Sequence, residues 1–171
     1  MSLEIITFGN IEEAVLNYLS KNLEEIFSTK VNIGGSYDIP RYAYAQMRDQ
    51  YLALLILNAL QTPKENQKIL AIIDKDLYAE GLNFVFGEAE PKKGVCIISI
   101  TRLRQSYYGL EEDRELFLKR ALKEAVHEIG HLFGLNHCSN PKCVMHFSNS
   151  LLDTDRKDYH FCNNCIKILG F

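Results

Sequence analysis

Three histidines and one glutamate stand at regular spacing in a single short segment of the chain. The pattern is His127-Glu128-x-x-His131-x-x-Gly134-x-x-His137. Residues four apart on an α-helix lie on the same face, so His127 and His131 are expected to offer two imidazole nitrogens to one metal ion. Gly134 can take the positive φ with which many helices end, and the chain would then return His137 as a third ligand.

Three protein ligands predict a catalytic zinc rather than a structural one, because the fourth tetrahedral position is left for water. Glu128 lies at the edge of the histidine face, where it can remove a proton from that water. The apolar residues of this segment recur at helical spacing on nearly the opposite side and are Ala121, Leu122, Ala125, Ile129, Leu132 and Phe133. The helix is therefore expected to bury one face in a core and to turn its ligands toward a cleft.

Four of the five cysteines form two close pairs that follow the histidines. Cys138 with Cys143, and Cys162 with Cys165, suit a closed four-thiolate zinc site, which would be structural. Two disulfides are the alternative, and a redox-active Cys162-x-x-Cys165 pair is another. Cys96 lies inside an apolar run and is expected in the core.

The segment HEIGHLFGLNH, residues 127–137, carries the HExxHxxGxxH signature and resembles the metzincin metallopeptidases. Metzincins also have a methionine turn beneath the zinc, and Met145, eight residues after His137, matches it. The spacing C-x4-C-x-M followed by C-x-x-C narrows the similarity to the archaemetzincins. The upstream segments DLYAEGLNFVFGEAE and VCIISITRLR are similar to that family as well.

The resemblance implies a zinc-dependent peptidase that hydrolyses peptide bonds through a zinc-bound water activated by Glu128. An aminopeptidase preference for short peptides is part of that expectation. The resemblance also implies a metzincin, zincin-like fold, in which an antiparallel edge strand above the cleft binds the substrate as an added strand. Residues 82–87 would take this role; the alternative is an edge strand that is merely solvated.

The amino-acid composition limits the kinds of molecule with which the protein is expected to interact. The chain has 171 residues, of which 47% are hydrophobic and 24% charged, as expected for one globular domain with a sizeable core. A net charge of −3 argues against a nucleic-acid partner. No apolar run approaches the length of a membrane span, and the first residues lack the pattern of a signal peptide. The sequence thus predicts a cytoplasmic protein with two zinc ions per chain and a peptide substrate, and it leaves the oligomeric state open.

The other segments predict an α/β (α+β) fold. Strands are expected at residues 3–8, 30–34, 68–74, 82–90 and 94–103, and helices from residue 10 and over 43–60. Asn10 with Glu13 resembles a capping box at the start of the first helix. The alternation predicts a mixed, mostly parallel sheet with an antiparallel edge strand, packed on helices that include the active-site helix.

This arrangement predicts a single metallopeptidase domain over residues 1–171. Residues 1–134 would form an N-terminal subdomain with the sheet and the active-site helix. Residues 135–171 would form a small C-terminal subdomain with the methionine turn and the four-cysteine zinc site.

Several further side chains are weaker candidates for the site. Tyr159 is a candidate transition-state donor if the chain folds back over the cleft. His146 and His160 are more typical of surface or packing histidines. Asp74, Asp76 and Glu88 lie near strand ends and suit a site for a substrate amine, although solvated carboxylates are the commoner case.

Two other classes of function fit the same residues. One is a zinc-binding or zinc-regulated protein whose catalytic position is blocked or gated. The other is a module that captures peptides on its edge strand without cutting them. The presence of Glu128 favours catalysis, because a purely structural zinc site does not require it.

Overall fold

The computed structural model describes residues 1–170. Its strands and α-helices follow one another as β1 (Ser2–Phe8), α1 (Glu13–Phe27), β2 (Lys30–Tyr37), β3 (Tyr44–Ala45), β4 (Gln50–Leu52), α2 (Ala53–Ala59), β5 (Gln67–Ile73), β6 (Leu77–Tyr78), β7 (Gly87–Glu90), β8 (Val95–Ser99), α3 (Arg114–Leu132), α4 (Leu151–Arg156) and α5 (Asn163–Leu169). Short 3-10 turns cover Arg41–Ala43, Thr101–Leu103 and Gln105–Tyr108.

A five-stranded sheet with the order β2-β1-β5-β8-β7 forms the centre of the molecule. The first four strands pair in parallel, and β7 runs antiparallel to β8 at the edge. This confirms the predicted mixed sheet with its antiparallel edge strand. Strands β3, β4 and β6 form a second, small sheet that the sequence did not indicate.

Strands β5 and β8, in the interior of the large sheet, are buried on both faces, which explains their continuous apolar runs. On β5, Leu70 and Ile72 face the core that α1 and α3 share, whereas Ala71 and Ile73 face the core that contains α2. Helix α1 packs against α3 on the first side. Cys96, on β8, is fully buried in that core, as predicted.

The prediction of one helix over residues 43–60 is wrong, because only α2 is helical there. A tight turn with Asp49 at φ +52° joins β3 to β4 instead. Strand β4 pairs in turn with β6, through Tyr51 and Leu77. The side chain of Arg48 donates to the carbonyl oxygens of residues 82 and 83, so tertiary hydrogen bonds hold this segment in an extended form that its helical periodicity does not favour.

The predicted capping box at the start of α1 is also absent. Helix α1 begins at Glu13, and Glu12 occupies the N-cap position without a side-chain hydrogen bond to the helix. The carboxylate of Glu12 instead accepts hydrogen bonds from Arg114, at the start of α3. Glu12, at the N-cap position of α1, therefore connects α1 to α3 instead of capping α1.

The edge strand lies later in the chain than predicted. Regular pairing with β8 covers Gly87–Glu90 rather than 82–87. The amide of Val85 donates to the carbonyl oxygen of Leu77 at 2.9 Å, so the outer edge is already paired at that point. The free part of the edge therefore begins at Gly87.

Helix α3 carries the histidine motif toward this edge. Asp113 caps it by accepting a hydrogen bond from the amide of Leu116, and the helix ends before Gly134, whose φ is +87°. This positive φ is the one predicted for the exit of the helix. The remainder of the chain that the structure describes, residues 135–170, is irregular apart from α4 and α5. Within residues 1–170, none of the helices combines the length and the apolar character that crossing a bilayer requires.

Candidate active site and metal centres

The three histidines of the motif converge at the C-terminal end of α3. One ring nitrogen from each of His127, His131 and His137 lies within 4.8 Å of the others. The Nε2 atoms of His127 and His131 are 3.1 Å apart. Two nitrogens bound at about 2.0–2.1 Å to one tetrahedral zinc would be separated by roughly 3.3 Å. The spacing of these side chains therefore fits a shared zinc ion.

Backbone carbonyl groups orient the two helical imidazoles. Nδ1 of His127 lies 2.8 Å from the carbonyl oxygen of Val144, and Nδ1 of His131 lies 2.7 Å from that of Leu135. A carbonyl oxygen can only accept, so Nδ1 donates in both rings and each neutral ring keeps its lone pair on Nε2. The Nε2 lone pairs then point into the centre of the histidine group.

The environment also keeps these imidazoles in the form that binds metal. Burial lowers the pKa of His127 well below its ordinary value, with the ammonium of Lys157 and His131 adding to the effect. Burial lowers the pKa of His131 and of His137 as well. Neutral imidazole is the protonation state that ligates zinc, so the donor set suits this ion.

Glu128 lies beside the histidines and against the edge strand. Its side chain is buried, and burial together with the carboxylate of Glu124 raises its pKa well above the ordinary value. A Cβ placed on Gly87 would lie 2.7 Å from Cγ of Glu128 and 2.7 Å from the carbonyl oxygen of Ile97. The first residue of β7 thus has no side chain where the glutamate must fit, which the sequence alone did not reveal.

Met145 lies beneath the helix that carries the ligands. It is completely buried, and its sulfur contacts the position that a Cβ on Gly130 would occupy. The amide of Cys138 donates to the carbonyl oxygen of Met145 at 2.9 Å. The methionine therefore packs between α3 and the ligand-bearing loop, where a methionine turn was predicted.

The four paired cysteines form a second group. The sulfur atoms of Cys138, Cys143, Cys162 and Cys165 all lie within 4.8 Å of one another, and the four thiols are free. The Cys138–Cys162 and Cys143–Cys165 sulfur separations are 3.8 and 3.7 Å. Zinc–sulfur bonds of about 2.3 Å in a tetrahedron give an S–S separation near 3.8 Å. This geometry favours a metal site over the alternative of two disulfides.

Two residues that are adjacent in the chain belong to the histidine group and to the cysteine group. His137 belongs to the histidine group and Cys138 to the cysteine group, as their alternation in an extended chain predicts. The pKa of Cys162 is lowered to about 7, first by a backbone hydrogen bond within its C-x-x-C segment. Burial raises the pKa of Cys143 and of Cys165, so Cys162 is ionised more readily than these two thiols.

A buried ion pair joins α3 to the loop that follows Met145. Lys157 Nζ lies 3.1 Å from Oε1 of Glu124, with the two side chains 0% and 4% exposed. The same ammonium is 3.3 Å from the carbonyl oxygen of His146, and Thr154 donates to Glu124 at 2.9 Å. Neither charged residue was singled out from the sequence, because periodicity does not show which charges are buried together.

The histidines open into a cleft along the edge strand. It has a volume of about 510 Å³, in the range of small-ligand sites. Besides the three histidines and Glu128, its walls include Ala79, Leu82, Val85, Gly87, Glu88, Ala89, Pro91, Gly134, Leu135, Asn136 and Phe147. The ring of Phe147 lies 5.0 Å from that of His137. The cleft therefore lies between β7 and the histidine group.

The remaining candidates lie elsewhere. Tyr159 packs on His160 with ring centres 4.0 Å apart, and both line surface cavities that contain none of the three histidines. The structure therefore lends no geometric support to the predicted contact of Tyr159 with a transition state. His146 is held by its Nδ1 atom, 2.9 Å from the carbonyl oxygen of Cys138.

Comparison with known proteins agrees with this geometry. The model of peptidase family M54 matches residues 9–170. Archaemetzincin of Pyrococcus furiosus is 47% identical, with the alignment covering 96% of this chain and 90% of the relative. Archaemetzincin of Methanocaldococcus jannaschii is 45% identical over 94% of this chain and 88% of its own.

Solved structures are similar over nearly the whole chain. The crystal structure of archaemetzincin from Archaeoglobus fulgidus, complexed with malonate, is 39% identical with a TM-score of 0.87, covering 98% of this chain and 99% of that one. A zinc-dependent peptidase from Methanocorpusculum labreanum is 30% identical with a TM-score of 0.88 over the same shares. This chain therefore belongs to peptidase family M54, the archaemetzincins, and is a zinc metallopeptidase.

Proposed function

We propose that this protein hydrolyses peptide bonds in short peptides, with a preference for the bond nearest the amino terminus. His127, His131 and His137 would hold the catalytic zinc, and Glu128 would be the general base. The observation that carries this proposal is the convergence of the three ring nitrogens within 4.8 Å, beside a buried glutamate and an open sheet edge.

Zinc held by the three histidines would supply a Lewis acid that polarises the scissile carbonyl and acidifies water. The carboxylate of Glu128 takes a proton from the attacking water as the new C–O bond forms. It then delivers this proton to the departing nitrogen as the C–N bond breaks, which leaves a carboxylic acid and an amine. Transfer of the acid's proton to the amine gives the carboxylate and ammonium products. The raised pKa of Glu128 suits a group that must hold a proton between these two steps.

Strand β7 would bind the substrate through its main chain. The carbonyl oxygen of Phe86 accepts from the amide of Ser99 at 2.8 Å, so residues 86, 88 and 90 direct their backbone groups toward β8. Gly87 and Ala89 then direct theirs outward, over the cleft. A peptide could pair with these groups as an added strand, which makes modest demands on its sequence.

A second, structural zinc would lie between Cys138, Cys143, Cys162 and Cys165, giving two zinc ions per chain. Cys138 and Cys143 lie in the loop after α3, Cys162 is the N-cap residue of α5, and Cys165 lies in its first turn. Zinc bound there would hold the described part of the predicted C-terminal subdomain, residues 135–170, against the larger one formed by residues 1–134; residue 171 lies outside the described residues. Bound metal would stabilise this irregular segment, because its binding free energy adds to that of folding.

Replacement of Glu128 tests the mechanism. We expect zinc-loaded wild-type protein to cleave a mixed library of short peptides, and Glu128→Gln to lose about 10²–10⁴-fold in rate, since only the proton acceptor is removed. Mass spectrometry identifies the cut sites, and native mass spectrometry verifies equal zinc content in both proteins. Cuts next to the amino terminus would support the aminopeptidase preference.

Other outcomes would favour other functions. Equal cleavage by both proteins would contradict the role of Glu128 and indicate a contaminant. Intact peptides that remain bound to zinc-loaded wild-type protein would favour peptide capture. Intact, unbound peptides with both metal sites filled would favour a gated or zinc-regulated protein.

A further inference from the structure

One carboxylate in the cleft has no partner. The sequence offered three acidic residues as sites for a substrate amine, and the structure separates them. Asp76 pairs with Arg102 and Asp74 with Arg104, each at 2.7 Å. Glu88 forms neither an ion pair nor a side-chain hydrogen bond with the residues that the structure describes, and it alone of the three lines the cleft.

Because Glu88 is partly buried, an ionised carboxylate without a partner is energetically unfavourable there. Its side chain is only partly exposed, and its Oε2 atom is shut off from solvent without a hydrogen bond. Burial raises the pKa of Glu88, and the nearby carboxylate of Glu90 raises it further. A cation bound beside Glu88 would offset both effects, because it would restore the interactions that the carboxylate has lost with water.

The direction of β7 identifies which part of a peptide would lie there. Glu128 fills the space that a side chain on Gly87 would need, so a bond cleaved with Glu128 as the base would lie near the start of β7. A peptide that pairs antiparallel with β7 runs from Glu90 toward Gly87, and its amino-terminal side therefore lies along residues 88–90. The residue just before the scissile bond comes next to Glu88. If that residue is the first of the peptide, its α-ammonium group would lie on the same stretch of the edge as this carboxylate.

We propose that Glu88 binds the α-ammonium group of the substrate and so selects peptides with a free amino terminus. This assignment rests on the proposed peptide hydrolysis and on strand addition along β7. Near neutral pH most α-amino groups are protonated, with pKa values of about 7.7–8.0. The charge-assisted bond would fix the first residue of the substrate, and the scissile bond would follow it directly.

Binding experiments can test the proposal apart from catalysis. The zinc-loaded Glu128→Gln protein is titrated calorimetrically with a tetra-alanine peptide and with its N-acetylated form. We expect the free-amine peptide to bind roughly 10- to 100-fold more tightly, the effect of one hydrogen bond to a charged group. Adding Glu88→Gln should bring the two affinities close together. Glu90→Gln is the matched control, because it removes a carboxylate from the same strand and should preserve the preference.

Each result decides the proposal. Equal affinities for the two peptides, an unchanged preference in Glu88→Gln, or no binding of either peptide would overturn it. An amine preference that depends on Glu88 would support it even if the library experiment found no cleavage, in which case only the proposed hydrolysis fails. If cleavage depends on Glu128 but is equally fast for the acetylated peptide, the proposed hydrolysis stands and the proposed role of Glu88 fails.

Discussion

At position 130, a missing side chain is what allows Met145 to approach the active-site helix. Glycine in the middle of a helix ordinarily costs about 0.5–1 kcal/mol relative to alanine. The sulfur of Met145 fills the space that a methyl group on Gly130 would need. The glycine destabilises the helix slightly, but it allows dense packing beneath the histidine group. It stands at a position that the HExxH pattern treats as variable.

We predict that Gly130→Ala destabilises the protein by about 1–3 kcal/mol, as overpacking of a core does, although helix propensity alone predicts a gain. Urea unfolding of zinc-loaded protein measures the change. Met145→Ala removes the obstructing sulfur, so the double variant should lose less than the sum of the two single losses. Additive losses would show that the two residues do not compete for the same space.

The convergence of the histidine group could be predicted from residue types and spacing, because a helix places residues four apart together whatever surrounds it. The same is not true of Gly87 and Glu88. Their roles depend on which residue of a strand faces Glu128, and this register is decided by pairing with β8 and by the bridge from Val85 to Leu77. No local pattern in the sequence contains that information.

Among the elements, α3 and the loop after Met145 are joined by a charge pair that water cannot reach. The charged groups of Lys157 and Glu124 are almost completely buried. Glu124 lies about one turn of helix before His127 in α3. A buried pair adds little stability compared with apolar residues of the same size, but removal of one partner leaves an uncompensated charge. The pair therefore strongly disfavours structures in which the loop and the helix separate.

We predict that Lys157→Met lowers the free energy of unfolding by about 3–5 kcal/mol, because it strands the charge of Glu124. Denaturant unfolding provides the measurement. Lys119→Met is a matched control, since Lys119 pairs with Glu115 at the surface and should cost at most about 1 kcal/mol. The combination of Lys157→Met with Glu124→Gln should recover part of the loss; no recovery would argue against charge as the cause.

Secondary structure could be predicted where burial in the core determines it. It could not be predicted where hydrogen bonds to distant residues determine it. The buried strands and α3 follow from their apolar patterns. The segment over 43–60 has a helical pattern as well, yet its first part is extended because Arg48 and Gln50 bond to the backbone near Asn83. These partners are more than thirty residues away, beyond the reach of periodicity.

At the scale of the whole molecule, the histidine group and the cysteine group meet at one peptide bond. His137 and Cys138 contribute to different groups, and the carbonyl oxygen of Cys138 is also bound by His146. Any shift of this peptide unit moves a member of both groups. The irregular C-terminal segment is therefore mechanically connected to the catalytic centre.

We predict that Cys138→Ser weakens zinc binding at both groups, whereas Cys165→Ser weakens mainly the cysteine group. Both substitutions remove one thiolate, but only Cys138 adjoins a histidine ligand. Competition with a chelator, followed by native mass spectrometry, measures the zinc retained per chain, and peptide cleavage reports on the histidine group. Equal loss of activity in the two variants, or unchanged activity and metal content in Cys138→Ser, would contradict this coupling.

The free edge of β7 also bears on how copies of the protein behave toward one another. A strand with unpaired backbone groups invites another strand, including the same strand of a second molecule. Two such edges would bring Glu88 and Glu90 of one molecule close to those of the other, where like charges repel. The carboxylate of Glu88, proposed to favour a peptide with a positively charged end, therefore also opposes self-association along the same edge, together with that of Glu90.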